Sequence, residues 1–183
     1  VDKKRNNTLT EDECARIWKL ELWMPQLQGH EEEIISRIRA FAGVEDLLLE
    51  NIGGYPDYKT KRDEIIHGIN YSVSGNYPDF MNLKMEGRMP KAPGEIAVSR
   101  SLIWELEKEG EKNPSSVRLG ERTYQITGIY EQLPFEPLYD REQIVKANQY
   151  HRFTFLSIPE KPDYRVVYIK CTSGQEQVVR KEI

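Results

Sequence analysis

Apolar and polar positions along this chain change period several times, and each change marks an element. Residues 17–23 (IWKLELW) alternate and predict a strand, with Ile17, Lys19, Glu21 and Trp23 on one side and Trp18, Leu20 and Leu22 on the other. Upstream, Thr10 and Glu13 have the spacing of a capping box, so a short helical turn is expected there. In HEEEIISRIRAFAG the period becomes helical: Ile34, Ile35, Ile38 and Phe41 share a face, and three glutamates suit the positive end of the helix dipole. Gly43 supplies a stop, and 44–52 (VEDLLLENI) reads as a second strand. Strand, amphipathic helix, strand is a compact α/β unit whose sheet needs a further cover.

The middle of the chain is denser in turn signals. Residues 53–63 read as a charged connector and 64–73 (EIIHGINYSV) as a strand, with Gly68 marking a bulge. Pro78 opens a helical turn over 78–83, where its missing N–H costs least. MEGRMPKAPGE is a run of turns, 95–98 a short strand, and Ser99 the N-cap of a helix reaching Glu109 with Leu102, Ile103 and Leu106 as its apolar stripe. Strands at 117–119 and 122–130 join around Gly120-Glu121 as a hairpin. Residues 133–150 carry little pattern. Strands follow at 152–158 and 164–171, then a helix beginning at Gln175 that the chain end cuts short.

These elements predict an α+β chain of two lobes: a discontinuous ferredoxin-like βαβ lobe from residues 10–70 plus 163–183, and an inserted mixed α/β lobe from 71–162. In such a lobe the strands 17–23 and 164–171 are expected to be parallel neighbours. Cys14 and Cys171 would then lie near opposite sheet ends, beyond disulfide reach at about 3.3 Å rise per residue. Two free thiols are the favoured reading.

Composition narrows the function classes. The 183 residues include ten Tyr, five Phe and three Trp, too aromatic for a disordered chain. The net charge is −4, with no clustered basic footprint for nucleic acid or anionic lipid. No apolar run approaches the roughly 18 residues of a membrane span. The chain starts at Val1 without a signal-peptide pattern, and reads either as a mature or trimmed soluble protein or as a piece excised from between membrane segments.

Candidate chemistry is sparse. His30, His67 and His151 form no metal-ligand spacing. His30 beside Glu31–Glu33 reads better as a solvent-facing helix residue than as a proton relay, and His67 as a half-exposed sheet residue. Asp57, Asp63 and Glu64 lack cation-loop spacing and read as a solvated acidic loop. Glu105 and Glu109, one helical turn apart, read as surface charges rather than an acid/base pair. Trp104 is expected to pack between lobes or into a core. No phosphate-binding loop or nucleophile elbow is present. No catalytic, cofactor-binding or metal-binding residue is assigned, and no cofactor is expected.

The order of pieces in GNYPDFMNLKMEGRMPKAPGEIAVSRSLIWELEKEG and VRLGERTYQITGIYEQLPF resembles the periplasmic core domain of MacB/FtsX-type ABC transporter permeases. The residues that carry it are Tyr77 and Phe80 in the short helix, Gly87 and Arg88 in the "GR" turn, and Glu95 through Ser99 with Leu102. Leu119, Gly120, Ile126, Gly128 and Ile129 complete it in the hairpin. Gly87 and Gly94 allow turn conformations that a Cβ penalises, Gly128 suggests a bulge or close backbone approach, and Arg88 is expected to tie loops together. All these motif residues read as structural.

The resemblance implies an extracytoplasmic domain of an inner-membrane permease subunit, facing the periplasm. A cytosolic ATPase subunit or domain would act through membrane helices outside this stretch, dimerisation is implied, and a periplasmic protein partner is possible. The domain would transmit ATP-driven motion and contact cargo or envelope partners, without being an enzyme. The short loops and the lack of a final strand after 175–183 depart from the family pattern and set engagement of a tall periplasmic adaptor in doubt. Alternatives are a free-standing two-lobe binding module and, more remotely, a small hydrolase with a dispersed site.

Overall fold

In the computed structural model, residues 9–131, 133, 153–161 and 163–182 are described. The chain runs α1 (Glu11–Ala15), β1 (Ile17–Glu21), α2 (Glu31–Arg39), β2 (Val44–Gly54), β3 (Asp57–Lys59), β4 (Ile65–Val73), α3 (Tyr77–Met81) and β5 (Met85–Gly87). It continues through β6 (Glu95–Ser99), α4 (Arg100–Lys108), β7 (Ser116–Leu119), β8 (Arg122–Tyr130), β9 (Phe153–Ser157), β10 (Val166–Cys171) and α5 (Glu176–Glu182). It is a mixed α+β fold on a mixed sheet of order β1-β10-β2-β4-β9-β6-β8-β5, with β3 beside β4 and β7 beside β8.

Several local readings hold for direct reasons. The Thr10 hydroxyl accepts from the Glu13 amide at 3.1 Å while the Glu13 carboxylate accepts from the Thr10 amide at 2.7 Å, the reciprocal capping box that starts α1. Ile34, Ile35, Ile38 and Phe41 all pack into one core beneath α2. Leu119 pairs with Arg122 around Gly120, whose φ of +58° suits the tight hairpin.

The expected parallel pairing of the two end strands is overturned. β1 and β10 are neighbours but antiparallel, with Ile17 opposite Lys170 and Glu21 opposite Val166. β10 is also antiparallel to β2, so β1 and β2 are parallel with β10 between them, a split βαβ arrangement. The direction of β10 comes from β9. β9 runs parallel to β4 and ends with Ser157 opposite Ser72, and β10, antiparallel to β2 as β4 is, points the same way as β9. Cys14 and Cys171 are consequently at the same end of the sheet. They remain two thiols because Cys14 packs with the core under α3 and Cys171 with the core under α2, on opposite faces.

β2 is the strand that joins the two ends of the sheet. Residues 44–50 pair with β10, and residues 50–54 pair with β4. One face carries two separate cores: Leu22, Leu47, Val167 and Ile169 beneath α2 and α5, and Val98, Leu102, Phe153 and Phe155 beneath α4. The other face carries one core that crosses the junction, with Leu48, Val73, Phe80, Leu156 and Tyr168 under α3.

Four expectations need correction. The 53–63 connector contains β3, and the run of turns contains β5, each recruited by pairing with a longer strand rather than by its own pattern. Gly68 is not a bulge: its pairing with Phe153 is in register, and a Cβ there would lie 2.3 Å from the Phe153 ring. Trp104 is 56% exposed on the outer side of α4, whose buried stripe is Leu102, Ile103 and Leu106. The unpatterned segment 134–150 and His151 lie outside the described residues.

Candidate functional site

Gly87, Arg88, Gly94, Glu95, Ser99 and Gly128 meet at the β5–β8–β6 end, whereas Tyr77 and Phe80 sit on α3 over the core that crosses the junction and Gly120 sits at the β7–β8 hairpin tip. Tyr77 and Phe80 are buried on α3, each with about 1.5–3 kcal/mol of burial to contribute. The Lys170 ammonium, itself buried, donates to the Phe80 carbonyl at 2.6 Å and lies 4.6 Å from the Phe80 ring centre, satisfying a carbonyl of the last turn of α3. Gly87 (φ +81°) and Gly128 are paired across β5 and β8. A Cβ on Gly87 would come within 2.4 Å of the Thr127 carbonyl oxygen, and one on Gly128 within 2.5 Å of the Arg88 carbonyl oxygen. The register slips opposite Gly128, between Ile96 and Ala97, so both the bulge and the close approach are present.

Arg88 grips Glu95 through two hydrogen bonds of 2.8 and 2.6 Å, and the Glu95 carboxylate also accepts from the Lys91 amide at 2.8 Å. The guanidinium holds the Glu95 carboxyl down to about 2, with the Lys91 amide assisting. Gly94 (φ +95°) turns the chain into β6, and its carbonyl accepts from the Gln125 amide. Gly120 donates its amide to the Asp57 carbonyl, so the hairpin tip is fastened to β3. Ser99 precedes α4 without capping it. Its hydroxyl instead accepts from the buried Thr154 amide at 3.0 Å, extending the β6–β9 ladder by a side chain.

The junction in β2 was not visible as a site in the sequence. Glu50 pairs with Val166 on one side and Val73 on the other, and is 8% exposed. Burial raises its carboxyl to about 7, against the opposing pull of the Tyr168 hydroxyl, which donates at 3.3 Å, and of Lys19. Tyr77 faces it from α3. On the opposite face, between the α2/α5 and α4 cores, lies a polar groove of about 230 Å³ floored by Asn51, Asn70, Ser72 and Ser157. The signal that could have found both is polar residues at inward positions of apolar strands, Glu50 in VEDLLLENI and Ser72 in EIIHGINYSV.

The other candidate groups are dispersed. His67 bonds Asp57 at 2.7 Å, Asp63 pairs with Lys59, and exposed His30 lies 3.7 Å from Glu33. Glu105 pairs with Lys108, while Glu109 accepts from the Tyr58 hydroxyl and the Lys61 amide, tying α4 to β3. Among the described residues no group of three or more His, Cys, Asp or Glu could hold a metal ion, and no helix is long and apolar enough to cross a membrane.

The fold is that of the extracytoplasmic domains of ABC-type transporter permeases. Among solved structures it is similar to the extracellular domain of the noncanonic ABC-type transporter YknZ from Gram-positive bacteria, at 12% identity over 88% of this chain and 86% of that one, with a TM-score of 0.60. The periplasmic region of MacB from Actinobacillus actinomycetemcomitans matches at 8% identity over 91% and 78%, with a TM-score of 0.58. A permease domain from Porphyromonas gingivalis matches at 12% identity over 91% and 80%, with a TM-score of 0.54. No family model and no curated protein matches the sequence. The likeness is therefore one of fold, and these neighbours are transporter domains rather than enzymes.

Proposed function

We propose that this chain is the extracytoplasmic domain of an ABC transporter permease subunit, transmitting ATP-driven motion across the membrane and contacting cargo or envelope partners. The observation that carries this reading is the fold shared with such domains along nearly the whole chain. In this reading the domain stands outside the inner membrane, a cytosolic ATPase works behind it, and a dimer is the working unit. Catalysis by the domain itself is not part of this reading.

The sheet supplies a mechanical rationale. In this reading the two ends of the sheet act as the two lobes expected from the sequence, 10–70 with 163–183 and 71–162, and the pairing of β2 with both β10 and β4 supports it as the strand between them. Tyr58 and Ile66 pack in the α4 core, so the working boundary falls at the β2–β3 turn. The nine motif residues, Tyr77, Phe80, Gly87, Arg88, Gly94, Glu95, Ser99, Gly120 and Gly128, act as framework that keeps the second lobe rigid while it moves.

The test has two arms. The complete reading frame should encode hydrophobic segments flanking this stretch, and their absence would sink the permease reading. Spin labels at Trp23 and Trp104, both exposed and at opposite ends of the sheet, should change separation between nucleotide-free and ATP-bound full-length transporter. An unchanged distance between them would remove relative lobe motion as the means of transmission.

A further inference from the structure

The sheet ends on one side at β1, and among the described residues no strand pairs with its outer edge. Which backbone groups stand on that edge follows from the inner side. The Leu22 amide donates to the Arg165 carbonyl, and the Arg16 carbonyl accepts from the Cys171 amide, both at 2.8 Å. Backbone groups alternate in direction along an antiparallel strand, so the even-numbered residues of 16–22 address β10. Ile17, Lys19 and Glu21 therefore turn their N–H and C=O groups outward. Such a row is a template for another strand. Two clefts flank it. One of about 380 Å³ is lined by Ala15, Ile17, Trp18, Lys19 and Arg180. The other, about 430 Å³ and largely apolar, lies beside Leu20 with Leu27, Ile34 and Phe41 on its wall.

The edge complements itself about Leu20. A second copy laid antiparallel on it, related by a two-fold axis through Leu20, brings Lys19 opposite Glu21 and Glu21 opposite Lys19. Leu20 meets Leu20, and Ile17 meets Trp23, which is 53% exposed although Arg165 lies over its ring. Leu22, opposite Trp18, is already buried and adds nothing. Lys19 and Glu21 share a face and pair at 2.7 Å within the strand, so the two copies together form a ring of alternating charge. Their outward backbone groups complete reciprocal hydrogen bonds, while Leu20 falls at a non-hydrogen-bonded pair, where side chains come closest. Moving the axis by one residue, to Lys19 or to Glu21, sets like charges directly opposite each other. Charge therefore selects one register among those the backbone allows. This self-complementarity singles out a second copy among the strands that could bond the edge.

We propose that the β1 edge is a self-association surface, on which a second copy of this chain pairs antiparallel about Leu20 and extends the sheet. The inference concerns this domain alone and does not rest on the permease reading, whose tests are the flanking hydrophobic segments and the lobe motion.

Sedimentation velocity of the 183-residue chain from about 1 μM to 1 mM tests it, with amide hydrogen exchange recorded at both ends of that range. The chain is expected to pass from monomer to dimer, and the Lys19 and Glu21 amides to gain protection as it does. Lys19→Glu and Glu21→Lys should each weaken the dimer about tenfold or more, because like charges then face each other. Mixing the two variants, or placing both substitutions in one chain, should restore it, since opposite charges face each other again. A variant that had simply lost its fold would not be rescued in this way. A monomer at every concentration would overturn the proposal. So would a dimer that both single variants form as well as the unmodified chain, or one in which the Lys19 and Glu21 amides stay unprotected. Protection of those amides already in the monomer, meaning a strand of the same chain on the edge, would overturn it too.

Discussion

Gly87 and Gly128 face each other across the β5–β8 pair, and neither has room for a Cβ. The obstacle in each case is backbone, the Thr127 and Arg88 carbonyl oxygens, which cannot swing aside as a side chain can. Gly128→Ala should therefore destabilise the domain by about 1–3 kcal/mol. Gly87→Ala should cost at least as much, because its φ of +81° adds backbone strain. Urea unfolding of the two variants checks this, and a wild-type midpoint for Gly128→Ala would contradict the packing account.

Glu50 gives a pH dependence with a definite sign. Its carboxyl is raised from an ordinary 4.5 to about 7, so between these values the native protein holds a proton that the unfolded chain releases. The contribution is complete below about 4.5 and is lost as pH rises through about 7. Glu50→Gln should therefore gain on wild type as pH rises from 4.5 to 8, by up to about 3 kcal/mol. Thermal melts of both proteins across that range measure it, and parallel curves would refute it.

The Arg88–Glu95 fork should resist replacement by lysine, since a single ammonium cannot make two parallel bonds to the carboxylate. Arg88→Lys and Arg88→Ala are both expected to speed hydrogen exchange at the Lys91 amide, which bonds the same carboxylate. Because Glu95 is held at about 2, the wild-type loop should keep its protection down to acid pH and lose it as pH falls from 4.5 toward 2.

Ser99→Ala separates a cap from a ladder bond. Loss of a helix cap would fray α4, whereas loss of the bond to Thr154 leaves a buried amide unsatisfied at a cost of about 1–3 kcal/mol. The expected result is lower stability with faster exchange at the Thr154 amide and unchanged helicity.

Trp104→Ala should change stability by less than about 0.5 kcal/mol, despite the size of the side chain, because the ring stands outside the α4 core. A loss of several kcal/mol would mean that the ring is packed.

Much of the framework could be read without coordinates. The capping box of α1, the apolar face of α2, the Gly120 hairpin and the tie made by Arg88 each depend on residues close in sequence, where spacing fixes geometry. β3 and β5 could not be read because three-residue strands have no periodicity of their own and exist only as partners of β4 and β8. Ser99 has the composition of an N-cap, yet its hydroxyl bonds Thr154, 55 residues away.

The sequence by itself determined where the chain bends, which faces are apolar and which class of domain the motif order resembles. The tertiary structure alone decided the direction of β10, the place of β2 as the strand that joins the two ends of the sheet, and the gathering of Glu50 and of the polar groove around that junction. The physical reason is range. Helix faces and turns are set by steric and hydrogen-bonding preferences within a few residues, whereas strand direction and buried polar contacts are set by which distant strands leave an edge free.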